Sequence, residues 1–130
     1  MKKLSVNRSI ELFLHEIIYL KSEGNYTLIH SANGEKLIVS RTLRVIAEKI
    51  DDQSFVRINN SHVINLSFIV SCKKEGRRLI ISFDDDLTFD VSRRRIGSFR
   101  KELNKYPQKF LWMKTKVAKE KKSKSAPLTI

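Results

Sequence analysis

Cysteine occurs once in the 130 residues, at Cys72, so no disulfide can form within the chain. A reducing cytoplasm is therefore the expected setting, and a lone thiol close to Val70 in a strand-like run reads as a small core residue. Glycine is scarce, 4 in all, and nowhere clustered, which excludes a glycine-rich phosphate loop. The three histidines, His15, His30 and His62, are scattered with no Cys or acidic partner at ligand spacing, so no metal site and no cofactor is expected. No apolar run approaches the roughly 20 residues that a membrane span requires. The start, MKKLSVNRSIELF, has two lysines but no uninterrupted apolar segment, and so does not read as a signal peptide.

Acidic charge is also short. There are 14 Asp and Glu against 26 Lys and Arg, a formal net charge of +12. Such a balance favours a polyanionic partner, either nucleic acid or an anionic membrane surface. The imbalance is confined to one end: Met1 to Ser92 holds 13 basic and 12 acidic residues, whereas Arg93 to Ile130 holds 13 basic and 2 acidic.

The chain is long enough for one core. Ile10 to Leu14 and Ile17 to Leu20 read as strands. Tyr26 to His30 and Lys36 to Val39 flank Asn33-Gly34, a strong hairpin signal. Leu43, Ile46, Ala47 and Ile50 fall at helical spacing, with Ser40 or Thr42 as the N-cap. Strand patterns resume at Phe55 to Ile58, His62 to Leu66, Phe68 to Cys72, Leu79 to Phe83 and Leu87 to Val91. Glu75-Gly76 and Asp84-Asp85-Asp86 supply turns. Ile96, Phe99 and Leu103 predict a short last helix, weakened by Gly97 and capped by Ser92. This is a mostly β pattern with one short central helix and one short C-terminal helix. The domain is expected over 1–106, followed by a basic extension, 107–130, in which the lysine-rich part is expected to be largely disordered.

Phe55 to Leu66, FVRINNSHVINL, carries the most chemistry. It concentrates Arg57, Asn59, Asn60, Ser61 and Asn65, and Arg and Asn are the side chains that pair two-pronged with guanine and adenine edges in the major groove. EGNYT at Glu23 to Thr27 and VSRRR at Val91 to Arg95 are its companions, and together they suggest a protein that reads DNA. Three cations at a helix start oppose the helix macrodipole, an unfavourable placement that a polyanion would offset. Asn65, beside Ile64 and Leu66, reads as a brace within the β framework. Ser61 and His62 are neighbours on a strand and point to opposite faces, so they are not a catalytic pair. No nucleophile, base or metal set converges, and an enzyme is the poorest fit.

Four segments, IIYLKSEGNYTLIH, NGEKLIVSRTLRVIAEKI, FVRINNSHVINLSFI and VSRRRIGSFRKEL, resemble in order and spacing the LytTR DNA-binding domain of bacterial response regulators. The resemblance runs from about Leu4 to Leu103. It implies an elongated, mostly antiparallel arrangement of small sheets. It also implies a regulator of transcription whose loops enter successive major grooves, at direct repeats in promoters, with bending of the DNA and two copies side by side. By that resemblance Asn60, Arg93 and Tyr26 or its neighbour Asn25 contact bases. Arg57 takes a phosphate-contacting or loop-bracing role, and Asn59, Ser61, Arg94 and Arg95 help set the register on the phosphates. The tail lysines Lys114, Lys116, Lys119, Lys121, Lys122 and Lys124 would add sequence-independent attraction.

Two departures stand out. Asn59-Asn60 occupies a place where relatives often have His-Arg, which shifts the expected pairing from guanine towards adenine. His62 stands where an aromatic is common. Most members of that family carry a phosphoacceptor receiver domain, for which this sequence has no room before the matched region, so either a stand-alone regulator or an excised domain is expected, and the lysine-rich tail favours a stand-alone cytoplasmic regulator. Two other classes fit the basic tail alone: a non-specific DNA- or RNA-binding module, and a membrane-surface interaction protein in which Phe110 to Met113 and the lysines form a basic amphipathic element.

Overall fold

Turn chemistry sets the architecture. In the computed structural model, which describes residues 2–6, 8–83 and 87–105, every strand is short and antiparallel to its neighbours. The chain divides into two compact units, Met1–Asn65 and Leu66–Ile130.

The first unit opens with β1 (Lys3–Ser5) and β2 (Glu11–Phe13), paired with Leu4 opposite Leu12. A 3-10 turn at Leu14–Glu16 leads into β3 (Ile17–Glu23), β4 (Tyr26–Ser31) and β5 (Lys36–Val39). Helix α1 (Leu43–Glu48) and strands β6 (Phe55–Arg57) and β7 (His62–Asn65) complete the unit. Five of these strands form one sheet in the order β5-β4-β3-β7-β6.

Cross-strand partners share a face. Leu20 lies opposite Ile29 and Val63, and this face is where Val39, Leu43 and Ile46 also pack, so α1 covers one side of the sheet. Leu20, Ile29 and Ile46 are completely buried; each such side chain contributes about 1.5–3 kcal/mol through lost water contact.

The expected helix forms with Thr42 as its cap: its Oγ1 accepts from the Val45 amide at 3.4 Å. The Asn33-Gly34 hairpin also forms. Its loop has three residues, with the Gly34 amide donating to Ser31 at 3.0 Å and Gly34 at φ +92°. Asn65 is buried and its Nδ2 donates to the Ile17 carbonyl at 2.9 Å, beside the point where the β3–β4 register shifts. It braces the framework, as its apolar neighbours suggest.

In the second unit a 3-10 turn at Leu66–Phe68 precedes β8 (Ser71–Glu75), β9 (Arg78–Ser82) and β10 (Thr88–Val91), which form a sheet in the order β10-β9-β8. A 3-10 turn at Arg93–Arg95 continues into α2 (Ile96–Asn104). Cys72, Leu79, Ile81, Phe89, Val91, Phe99 and Leu103 are its buried described residues, together with Leu66, Ile69 and Phe83. Burial pushes the Cys72 thiol up to about 12, against a smaller opposing effect of Arg100, so it is an inert core group.

Three expectations need correction. Phe68 belongs to a 3-10 turn, and the strand expected at Phe68 to Cys72 begins at Ser71. Ile10 to Leu14 yields a strand of three residues only, because Leu14 starts another 3-10 turn. Ser92 precedes the arginine turn, but its hydroxyl makes no capping bond. The acid run 84–86 and the whole extension, including Phe110 to Met113 and the tail lysines, lie outside the described residues.

Candidate nucleic-acid interface

Two loops of the first unit meet at one end of the five-stranded sheet. The β3–β4 turn is two residues long, since Glu23 pairs with Tyr26. Gly24 sits at φ +64°, a left-handed conformation that costs other residues roughly 1–2 kcal/mol. Asn25 and Tyr26 are exposed at this tip, Tyr26 to 50%.

The β6–β7 loop is Asn59-Asn60-Ser61, closed by the Ile58 amide donating to the His62 carbonyl at 3.1 Å. Arg57 braces it from beneath. Its Nε donates to the Asn59 carbonyl at 3.2 Å and its Nη2 to the Asn60 carbonyl at 2.7 Å. Asn59 turns inward: its Oδ1 accepts from the Ser61 amide at 2.8 Å and lies 3.1 Å from His62 Nδ1. Because that oxygen can only accept, His62 must carry its proton on Nδ1. The side chains of Asn60 and Ser61 are left exposed.

β3 joins the two loops. Lys21 pairs with His62, and the Ser22 amide donates to the Ser61 carbonyl at 2.8 Å, so the Gly24-Asn25 tip stands beside Ser61. A third element ends here. Thr27, fully buried, lies opposite Val39, and its Oγ1 donates to the Arg41 carbonyl at 2.8 Å. Exposed Arg41 therefore borders the same sheet end. Sequence reading missed it, because a single Arg between a strand and a helix cap looks like any solvated cation.

The imidazoles behind these loops are shifted towards their neutral form. Burial, and then Lys21, lowers the pKa of His62 below its ordinary value. Burial, Lys36 and Lys21 do the same to His30, whose ring stacks on Tyr19 at 4.2 Å. Lys21 is balanced by Glu23 at 3.2 Å.

The remaining predicted residues lie in the second unit. Arg93 and Arg94 are exposed on the 3-10 turn, closed by the Arg95 amide donating to the Ser92 carbonyl at 2.9 Å. Arg95 is half-buried. Its Nε and the Ser92 hydroxyl are buried with no hydrogen-bond partner among the described residues. A buried polar group left without a partner costs about 1–3 kcal/mol.

Among the described residues no cluster of His, Cys, Asp or Glu could hold a metal ion. No described helix is long and apolar enough to cross a membrane.

Comparison with known proteins identifies the family and the fold. The family model for the LytTr DNA-binding domain matches residues 7–104. The chain is 25% identical over 99 residues to the heme-containing CO-sensing transcriptional regulator RcoM 1 of Paraburkholderia xenovorans, a match covering 75% of this chain and 37% of that protein. It thus spans little more than a third of that relative's length. A solved LytTr DNA-binding domain from Bacillus cereus superposes with a TM-score of 0.65 at 19% identity, covering 78% of this chain and 94% of that one.

Proposed function

The chain belongs to the LytTr DNA-binding domain family, and on that premise we propose that it regulates transcription by reading base sequence in successive major grooves through loop side chains. The observation that carries this reading is the meeting of the Asn25-Tyr26 tip and the Asn59–Ser61 loop at one sheet end, with Asn60 exposed on a loop already fixed by Arg57 and His62. A loop ordered during folding does not lose that freedom again on binding, so more of the contact energy appears as affinity.

In this reading Asn60 pairs through its amide with an adenine edge, and Arg93 with guanine O6 and N7. Tyr26 or Asn25 reaches a neighbouring base. Arg57 acts as the brace of the reading loop, since two of its donors are already engaged. Ser61, Arg94 and Arg95 set register on phosphates, and Asn59 serves by shaping the loop that presents Ser61. Recognition makes and breaks no covalent bond. Two copies bind side by side on direct repeats in promoters, about 10–10.5 bp apart as grooves on one face of the duplex require, and bend the DNA between them.

Dimethyl sulfate footprinting tests the groove assignment. The expected result is protection of guanine N7, a major-groove atom, in patches one helical turn apart. Protection confined to adenine N3 in the minor groove would contradict it.

The surplus of basic residues beyond Ser92 favours a second reading, a non-specific nucleic-acid module. The two separate on salt: non-specific binding is almost wholly counterion release, so it would vanish at high salt without leaving any sequence preference.

A further inference from the structure

The second unit contains a cavity of about 280 Å³ lined by Lys74, Arg77, Arg78, Leu79, Ile96 and Arg100. Its position follows from the β8–β9 hairpin. Glu75 pairs with Arg78, so the turn is Gly76-Arg77 with Gly76 at φ +61°. This repeats the β3–β4 turn, where Glu23-Gly24-Asn25-Tyr26 has the same two-residue loop and Gly24 at φ +64°. One tip offers an amide and an aromatic, groups suited to base edges. The other offers the Arg77 guanidinium, suited to phosphate.

No acid lines this cavity, and those of the same strands and helix are engaged elsewhere. Asp90 takes Arg78 Nη2 through both carboxylate oxygens, at 3.1 and 2.9 Å. Glu75 pairs with Lys73 at 3.2 Å, and Glu102 with Lys105 at 3.2 Å. Lys74, Arg77 and Arg100 are left lining one cavity with no acidic partner within ion-pair reach among the described residues. Cations converging on a concave surface raise its potential and concentrate anions there. Leu79 and Ile96 supply an apolar wall beside these cations.

We propose that this cavity is a phosphate-binding site and that its occupant is the backbone of duplex DNA, held outside the base-reading loops. This rests on the DNA-reading function proposed above. Two features favour a polyanion over a free phosphate ligand. Arg77 and Arg100 are exposed, as fits a surface that tracks successive phosphates, whereas a small anion is held by buried donors. The cavity also continues the arginine turn, since Ile96 follows Arg95 directly.

The test is the salt dependence of binding by the full chain, wild type against the double variant Arg77→Ala/Arg100→Ala. Each phosphate contact removed lowers the slope of log K against log salt by about one. The double variant should therefore lose about two units of slope and weaken by the same factor on selected and random duplexes, with base preference intact. Arg77→Lys/Arg100→Lys should keep the slope, and thermal melts establish that all variants fold. An unchanged slope in the folded double variant would overturn the proposal. Asn60→Ala, run in parallel, separates the two readings: a wild type without base preference defeats the sequence-reading function, whatever the slope of the arginine variant. Titration with inorganic phosphate distinguishes the sources. A phosphate response lost in the double variant with the DNA slope unchanged would assign the site to a free ligand and overturn the DNA assignment.

Discussion

Two adjacent asparagines do opposite jobs. Asn59 spends its carbonyl oxygen on the Ser61 amide and His62, while Asn60 keeps its amide exposed. Asn60→Ala should cost about 1–3 kcal/mol on the preferred site and little on random DNA, checked by fluorescence anisotropy on both duplexes. Asn59→Ala should weaken both alike by loosening the loop, and faster amide exchange at Ser61 would report it. Sequence reading assigned Asn60 to bases and Asn59 to register on the phosphates; that Asn59 turns into its own loop could not be read, because only the direction of each side chain shows it. Arg57 was legible as a brace or a phosphate contact; the distances to two carbonyls favour the brace. His62 adds a pH dependence. Its pKa is lowered in the folded state, so below the ordinary value the unfolded chain binds the proton more readily. Stability is then fully present above about pH 6.5 and falls as the pH drops below it. Urea melts at neutral and mildly acidic pH should show this decline, and His62→Gln should reduce it, with His30 supplying part of what remains.

At the scale of elements, two glycines make a matched test. Gly24 needs its positive φ, although an added methyl group would meet nothing within 4 Å. Gly24→Ala should therefore destabilise by about 1 kcal/mol from backbone conformation alone. Gly97 lies in α2 with no such requirement and equally open surroundings. Gly97→Ala should stabilise by up to about 1 kcal/mol, and thermal denaturation reads both. The hairpins, α1 and its Thr42 cap were legible because turn residues and helical spacing coincide there. β1 was not, because Leu4 alone between Lys3 and Ser5 cannot display a period. β8 was placed too early, since only Cys72 of its five residues is buried and the apolar signal comes from the preceding 3-10 turn. The Ser92 cap failed for a reason invisible in sequence: an extra 3-10 turn separates it from α2.

For the whole molecule, the family and the mostly β architecture could be read from four segments in order. The convergence of Lys74, Arg77 and Arg100 could not, because a hairpin tip and a helical arginine more than twenty residues away come together only on folding. Charge is what the molecule offers to any polyanion; sequence preference is what its loops must add. That addition is the central claim, and selection of bound duplexes from a random pool tests it most directly, with wild type and Asn60→Ala compared at about 0.15 M salt, where the Debye length is about 8 Å. The account predicts that the wild type enriches a short motif repeated one helical turn apart and that Asn60→Ala loses preference at one position in each repeat. Retention of DNA by the wild type without any enriched motif would contradict it.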